Sequence, residues 1–302
     1  MESDGITLKR TNRSLTGTID NCAGGTTPWN TWVSCEETHR VNHGYAFEID
    51  PESTSLQGYK RLTNMGRFQR EAITIDENDP SGSVYQTEDD YSGLFYKFVP
   101  SQKQNLAGRG KLYALKIPGI ENTSNKDGLI STGDTFPVEW VRIKDPLAES
   151  TKTKIQGKDA GASIFKGGEG IIHTNDKDLT TNIFFTCKKG GKAGLGQIWK
   201  YSPSKAKITL FYESDNANNL WDGDNINITP WGDLIICEDT YNYCGLIGIN
   251  PNGSQYIFAD NAYTDSELCG VCFSPKGDIL FVNVQNKGLT LAIHGPFSSL
   301  SS

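Results

Sequence analysis

Short runs of β-branched and aromatic residues, separated by turn residues, recur about every 10 to 12 residues along this chain of 302 residues. Clear examples are VYQTED, NIFFTC, QIWKYS and DLIICED. Such runs favour strands, because branched and aromatic side chains fit a pleated, partly buried surface. Strands do not alternate with helix-length amphipathic segments, which disfavours a parallel α/β sheet. The sequence therefore predicts an all-β fold with no helix longer than about three turns, and residues 122–135 and 147–161 are predicted as loops.

A weak internal repeat narrows the choice among all-β architectures. The segment from Thr27 to Thr38 reads TPWNTWVSCEET and resembles TPWGDLIICEDT, from Thr229 to Thr240. A third copy from Ser274, SPKGDILFVNVQ, repeats the turn and the strand but ends in amides. A Pro-x-Gly turn followed by an apolar strand is typical of a propeller blade, and blades of about 40 to 50 residues give about six here.

Five blades, or six with one incomplete, are the alternatives within the propeller class. A pair of β-sandwiches is the alternative architecture. No composition shift marks a domain boundary, so we expect residues 1–302 to form a single β-propeller domain.

The composition excludes several classes of partner. The chain has a formal net charge of −7, whereas sequence-independent binding of nucleic acid needs a basic face. No apolar run approaches the roughly 20 residues that span a bilayer, so no membrane span is predicted. The N-terminal residues MESDGITLKR lack the apolar core of a signal peptide. An acidic protein that acts on a phosphate ester needs bound cations to reverse the local field.

Familiar catalytic motifs are missing from the sequence. It has no G-x-S-x-G elbow, no H-E-x-x-H motif and no phosphate-binding P-loop. Its seven cysteines are an odd number and indicate no small disulfide framework. Cys269 and Cys272 form a lone C-x-x-C without a second pair, and we expect them to serve packing.

Acidic residues gather at the ends of the predicted strands. They are Glu36, Glu37, Glu71, Glu88, Asp89, Asp90, Glu169, Asp222, Asp224, Glu238 and Asp239. Like charges at one rim of a propeller raise one another's pKa unless a cation lies among them. Carboxylate oxygens suit calcium, and an added thiolate admits iron or zinc. From the residues alone, the alternative that these acids only solubilise loop ends stays open.

The sequence resembles one known family over most of its length. Residues 21–38, NCAGGTTPWNTWVSCEET, resemble the signature N-C-A-G-G-x-T-P-W-G-T-W-x-x-C-E-E of the PhoX-type phosphatases. The similarity runs in family order through MGRFQREAITID, VYQTEDDYSGLFYKFVP and DNINITPWGDLIICEDT to CGVCFSPKGDILFVNVQNKGLTLAIHGP, about nine-tenths of the chain. It implies a propeller of roughly six blades that binds calcium and iron and hydrolyses phosphomonoesters. It also implies a small phosphorylated substrate and an extracytoplasmic location, and we expect a monomer.

The resemblance also implies a set of metal ligands. Cys35 resembles the thiolate that binds iron, and Glu71, Glu169 and Asp224 resemble carboxylate ligands. Further acids match metal-site acids of the family without individual roles: Glu36, Glu37, Glu238 and Asp239. These residues have to converge on the central channel. Cys22, in a turn of small residues, is expected to be packed and inert.

The sequence departs from the family pattern at positions that affect the expected phosphatase activity. Gly167 stands where the family has arginine, so a bidentate phosphate contact is lost unless Arg70 or Lys166 replaces it. These two residues are the candidate catalytic side chains. The chain also starts after an upstream family segment, and we expect a phosphatase, or an impaired relative. The alternatives are a calcium-dependent, lactonase-like propeller hydrolase and a non-catalytic propeller that serves as a binding module.

Overall fold

The described residues of the chain form five antiparallel sheets, arranged as the blades of a β-propeller. The computed structural model describes residues 7–175, 180–241 and 244–297. The first six residues of the segment assessed above for a signal peptide therefore lie outside the described residues.

Strands account for most of the regular structure in the described residues. The first nine are β1 (Asn21–Thr26), β2 (Trp32–Glu36), β3 (Ala46–Ile49), β4 (Arg70–Ile75), β5 (Val84–Glu88), β6 (Tyr96–Pro100), β7 (Gly110–Lys116), β8 (Thr135–Pro137) and β9 (Glu139–Arg142). The others are β10 (Gly168–Asn175), β11 (Thr181–Cys187), β12 (Gln197–Ser202), β13 (Lys207–Glu213), β14 (Gly223–Ile228), β15 (Leu234–Glu238), β16 (Gly245–Ile249), β17 (Gln255–Asp260), β18 (Leu268–Phe273), β19 (Ile279–Val284) and β20 (Leu289–His294). The described helices are α1 (Thr153–Asp159) and three 3₁₀ turns, Thr63–Met65, Pro203–Lys205 and Gln285–Lys287.

Each blade is built outward from one inner strand. The strand orders are β1-β2-β3 in blade 1, β4-β5-β6-β7-β9 in blade 2, β10-β11-β12-β13-β8 in blade 3, β14-β15-β16-β17 in blade 4 and β18-β19-β20 in blade 5. After β7 the chain crosses to the outer edge of blade 3 as β8 and returns to blade 2 as β9. This crossover covers the outer edges of both blades, where unpaired strand edges would otherwise be exposed.

The five inner strands lie side by side around the centre, in the order β1, β4, β10, β14, β18. In each of them the pairing with the second strand of the blade shifts register near its start. The shifts lie between Cys22 and Gly25, Arg70 and Ile73, Gly168 and Ile171, Gly223 and Ile226, and Cys269 and Cys272. Such β-bulges bend a strand and re-aim its side chains, and they are frequent next to functional sites.

Aromatic packing joins neighbouring blades. Between blades 2 and 3, Phe95 stacks on Phe185 with ring centroids 4.3 Å apart. Tyr85, Trp140 and Tyr201 surround this pair with centroid distances of 5.6 to 6.0 Å to one another. Each such aromatic pair contributes about 0.5 to 1.5 kcal/mol beyond its burial. Apolar side chains therefore form this contact between the blades.

The structure confirms the all-β prediction and corrects its detail. Among the described residues, α1 spans seven residues, or about two turns. Five blades are described where the repeat spacing favoured six, and the alternative of paired β-sandwiches is wrong. None of the described helices has the length and apolar character needed to cross a membrane.

Candidate metal centre

The five inner strands start in the same way, which places one residue of each blade at an equivalent position. The first residue of each inner strand pairs with the last residue of the second strand: Asn21 with Glu36, Arg70 with Glu88, Gly168 with Cys187, Gly223 with Glu238, and Leu268 with Val284. The next residues are Cys22, Glu71, Glu169, Asp224 and Cys269, which we call the inner positions. Because the blades are arranged around one axis, residues at equivalent positions gather near that axis.

Three carboxylates and a thiol from the inner positions lie together. Glu71, Glu169 and Asp224 are buried, and each offers a ligand atom within 4.8 Å of the others. Cys22, Glu37 and Glu71 form a second group of the same size, which shares Glu71 with the first. The Cys22 thiol donates to Glu71 Oε1 at 3.0 Å. We call these five residues, which come from blades 1 to 4, the central cluster.

Burial and mutual repulsion raise the pKa values of the central cluster. The pKa of Glu71 and that of Glu169 are raised well above their usual range, first by burial and then by the charge of Asp224. Burial also raises the pKa of Asp224 to about 7. Among the described residues, Glu169 Oε1 is shielded from solvent and has no hydrogen-bond partner. The protein therefore gathers carboxylates whose charge its other described groups do not fully compensate.

The donor atoms of the central cluster fit metal ions. A buried carboxylate oxygen without a partner is a group that a bound cation would satisfy. The oxygen donors of Glu71, Glu169 and Asp224 suit a hard cation such as calcium. Cys22 adds a sulfur donor, which iron accepts. Burial and the charge of Glu71 raise the pKa of Cys22, so metal binding has to displace its proton.

A second set of equivalent positions follows the second strand of each blade. They are Glu37, Asp89, Lys188, Asp239 and Gln285, which we call the loop positions. Each donates its backbone N–H to the carbonyl of the residue just before the inner strand, at 2.7 to 3.1 Å. Asp89 lies close enough for its charge to raise the pKa of Glu71 and of Glu169. Three blades thus place an acid at the loop position, whereas blade 3 places a lysine there.

The acid one residue earlier, at the end of the second strand, has a different role. Glu36 Oε2 accepts the N–H groups of Gly44 and Tyr45 at 2.8 and 3.1 Å. Glu238 accepts two backbone N–H groups at 2.8 and 3.1 Å, and Glu88 accepts a backbone N–H and a tyrosine hydroxyl. Each of these acids accepts a hydrogen bond from a residue at or just before the start of the third strand, and Glu238 also accepts one from Trp221, just before the inner strand. They therefore stabilise the loops of their own blades.

The paired acids at strand ends therefore separate into two groups. Of the four expected near the metal, Glu37 belongs to the central cluster and Asp239 lies at a loop position. Glu36 and Glu238 are engaged by backbone N–H groups of their own blades. Strand geometry explains the split, because consecutive residues of a strand point in opposite directions.

We expected Cys35 to lie at the metal site and Cys22 to be packed in the fold, and the structure shows the reverse arrangement. Cys35 is fully buried in an apolar core with Val33, Ala46 and Met65, whereas Cys22 lies in the central cluster. Cys35 comes just before Glu36 in the second strand of blade 1, and its side chain faces blade 2. The thiol that the geometry offers to a metal ion is that of Cys22.

In blades 2 and 3, the residues equivalent to Cys35 are threonines that hydrogen-bond to the next blade. Thr87 and Thr186 occupy the same place in β5 and β11, one residue before the strand ends. The Thr87 hydroxyl donates to the carbonyl of Glu169, and the Thr186 hydroxyl donates to the carbonyl of Asp224 at 2.7 Å. Each hydroxyl thus joins a second strand to the inner strand of the next blade and fixes the backbone of a cluster residue.

Arg70 was a candidate for phosphate binding, and the structure engages it elsewhere. Its side chain is fully buried, with the guanidinium 4.1 Å from the centroid of the Phe68 ring. Nη2 donates to the carbonyls of Gly66 and Met65 at 2.8 and 3.1 Å, and Nε donates to Gln86 Oε1 at 2.9 Å. All of these partners lie away from the central cluster, so Arg70 supports the fold.

Lys166 and Gly167 precede the inner strand of blade 3. Lys166 Nζ lies 5.5 Å from the ring centroid of Tyr91, which is 67% exposed, so this pair lies at the protein surface. Gly167 is buried and has a φ of 65°, a conformation that favours glycine. A Cβ atom there would lie 3.5 Å from Lys188 Cβ and from Asp89 Oδ1. These are ordinary contact distances, so an arginine at this position would be disfavoured by its backbone conformation and not by lack of space.

The ligand set that the resemblance implied left out three residues near the axis: Cys22, Asp89 and Lys188. The repeat contained a signal for the last two. Aligning VYQTEDD and FFTCKKG with VSCEET by the end of the second strand puts Asp89 and Lys188 at the place of Glu37. The role of Cys22 had no such signal, because its strand is short and rich in glycine.

Fold and site together define a β-propeller with an acidic, partly sulfur-containing centre on its axis. The family model described as alkaline phosphatase PhoX matches residues 4–288. The chain therefore belongs to the PhoX family of alkaline phosphatases.

The chain is similar to a solved structure of a phosphatase and, more weakly, to one of a gluconolactonase. Pseudomonas fluorescens PhoX in complex with vanadate, a transition-state analogue, is 18% identical, with a TM-score of 0.67 over 88% of this chain and 64% of that chain. The chain thus spans under two thirds of the length of that relative. The periplasmic gluconolactonase of Pseudomonas aeruginosa is 12% identical, with a TM-score of 0.49 over 93% and 82% of the two chains. No curated protein matches the sequence.

Proposed function

We propose that this protein is a metal-dependent phosphomonoester hydrolase that uses calcium and iron. The observation that carries the proposal is the central cluster, where Glu71, Glu169 and Asp224 are buried within 4.8 Å of one another. Membership of the PhoX family supports phosphate esters as the substrate class. The Pseudomonas fluorescens relative binds vanadate, an analogue of the phosphoryl-transfer transition state.

The proposal assigns the metal ligands by their donor atoms. Glu71, Glu169 and Asp224 would hold calcium, because their donors are all oxygen. Cys22, Glu37 and Glu71 would hold iron, because the group includes a thiol. Bound cations would neutralise the charge of the ester and polarise its phosphorus.

The residues of the chain contribute position and charge. The Thr186 hydroxyl holds the backbone of Asp224 across the blade boundary, which limits movement of that ligand. Ionised acids on a protein of net charge −7 repel a phosphate dianion unless cations compensate them. We therefore expect chelation to abolish turnover, and not only to weaken substrate binding.

The experiment starts from protein purified without chelator. Elemental analysis should find calcium and iron, and p-nitrophenyl phosphate should be hydrolysed, although slowly if the site is impaired. A calcium chelator should remove the activity and added calcium should restore it. Glu169→Gln should lose bound metal and activity, whereas the exposed Glu121→Gln should keep both.

Two outcomes would contradict the proposal. Bound calcium without iron, together with hydrolysis of a lactone but not of the phosphate ester, would favour a lactonase-like hydrolase. Bound metals without hydrolysis of either substrate would favour a non-catalytic binding module.

The proposal also covers the organisation and location of the protein. We expect a small phosphorylated substrate, a monomer that is a single propeller domain, and an extracytoplasmic site of action, as in PhoX-type relatives. Size-exclusion chromatography with light scattering tests the monomer, and cell fractionation tests the location.

A further inference from the structure

Lys188 interrupts the pattern of acids around the axis. Three of the five loop positions carry Glu37, Asp89 and Asp239, and blade 3 carries Lys188. The backbone N–H of Lys188 donates to Gly167 O at 2.7 Å, as the equivalent residues do in the other blades. The backbone of Lys188 therefore has the same position in its blade as the backbone of the acids at the loop positions of the other blades.

The side chain of Lys188 reaches the central cluster. Its Nζ lies 3.7 Å from Asp224 Oδ2 and pairs with Asp239, and the side chain is 17% exposed. A lysine side chain is a cation at neutral pH, and the ammonium of Lys188 lies against the carboxylates proposed to hold metal ions.

Other basic side chains close to the axis are engaged elsewhere. The Arg70 guanidinium is occupied by backbone carbonyls. Lys189 pairs with Asp222, and Lys166 lies over Tyr91. Among these four cations, Lys188 is the one in contact with a residue of the central cluster.

We propose that Lys188 is the phosphoryl-binding residue of this enzyme and donates to a phosphoryl oxygen of the substrate. The inference rests on the proposed function. When cations engage the carboxylates of the central cluster, they compete with the ammonium for Asp224. A phosphate oxygen then takes the place of Asp224 beside the ammonium through a short, charge-assisted hydrogen bond, while the ammonium also keeps its pairing with Asp239. Gly167 leaves the space beside Lys188 free of a competing side chain.

The test compares Lys188→Gln and Lys188→Arg with Lys192→Gln in the metal-loaded protein. Lys192 is exposed in the loop that follows, so its variant makes the same change of charge away from the centre. The probes are orthovanadate binding by calorimetry, kcat/KM for p-nitrophenyl phosphate, and metal content by elemental analysis.

We expect Lys188→Gln to keep its metals and to lose about a hundredfold in kcat/KM, as for removal of one donor to a transition state. Vanadate affinity should fall in parallel, Lys188→Arg should recover part of both losses, and Lys192→Gln should match wild type.

Unchanged vanadate affinity in a metal-loaded Lys188→Gln protein would overturn the inference. So would a change in metal content that accounts for the loss, because Lys188 would then only balance charge. If wild type neither binds vanadate nor hydrolyses the ester, the proposed function fails and the inference fails with it. A defect confined to the Lys188 variants leaves the proposed function intact.

Discussion

Replacing Asp224 by asparagine tests the electrostatic description of the central cluster in the metal-free protein. The pKa of Asp224 is raised from 3.8 to about 7, so its ionised form is disfavoured in the folded state. At about 1.4 kcal/mol for each pKa unit, the ionised carboxylate costs about 4 kcal/mol of folding free energy. Because the charge of Asp224 also acts on Glu71 and Glu169, part of this cost is shared among the three, and we expect Asp224→Asn to recover about 2 to 4 kcal/mol.

The sign of the pH dependence follows from the raised pKa. Below pH 3.8 the carboxyl of Asp224 is protonated in both the folded and the unfolded chain, so it contributes no difference. As the pH rises towards 7, the unfolded chain loses this proton first, and wild type loses stability. The advantage of the variant should therefore be absent near pH 4 and complete at pH 8.

The assay is urea denaturation of chelator-treated protein at both pH values, with Asp265→Asn as the control. Asp265 is exposed in a loop, so its variant changes the charge without changing the cluster. Calcium should reverse the ranking at pH 8, because wild type gains stability from binding and the variant lacks a ligand. A metal-free variant that is no more stable than wild type at pH 8, or is equally stabilised at both pH values, would refute this description of the cluster.

Three further predictions separate the metal ligands from residues that support the fold. Cys22→Ser should lose iron, whereas Cys35→Ser should keep it and change the free energy of unfolding by about 1 kcal/mol or less, because a hydroxyl at this position can donate to the next blade as those of Thr87 and Thr186 do. Glu37→Gln should lower metal content, whereas Glu36→Gln should lower only the free energy of unfolding. Elemental analysis measures the first effect and urea denaturation the second. Equal metal content in the two cysteine variants, or in the two glutamate variants, would count against the assignment. Arg70→Met should cost about 3 kcal/mol or more by leaving buried carbonyls unpaired, with metal content unchanged; a selective loss of vanadate binding in a stable Arg70→Met protein would contradict this.

The second strands of the blades were predictable from the sequence, and most of the inner strands were not. VYQTED and NIFFTC correspond to β5 (Val84–Glu88) and β11 (Thr181–Cys187), because their side chains pack between blades and follow ordinary strand preferences. The inner strands β1 and β10, in contrast, contain two glycines each and a bulge. Strand preferences fail to predict these strands because their residues and bulges form the candidate metal site. The short helix α1 was missed for a related reason, since it contains a glycine and has no side-chain cap.

The candidate ligands were predictable only in part. The resemblance identified Glu71, Glu169 and Asp224, which the structure brings together. It assigned the metal-binding thiol to Cys35 and not to Cys22. Both belong to the same signature, and the difference lies in which side of the blade each thiol faces. That choice depends on the bulge of β1, a feature of three-dimensional pairing.

The distribution of the central cluster over four blades bears on how the chain unfolds. Cys22 and Glu71 are 49 residues apart, and a cation bound by both would act as a reversible cross-link between two blades. By the chain-entropy relation for cross-links, closing a loop of that length restricts the unfolded chain by about 4 kcal/mol. Release of the cation would then precede separation of the blades. Resistance of the protein to proteolysis should therefore fall when the iron proposed to bind Cys22 and Glu71 is removed, even where the folded structure itself does not change.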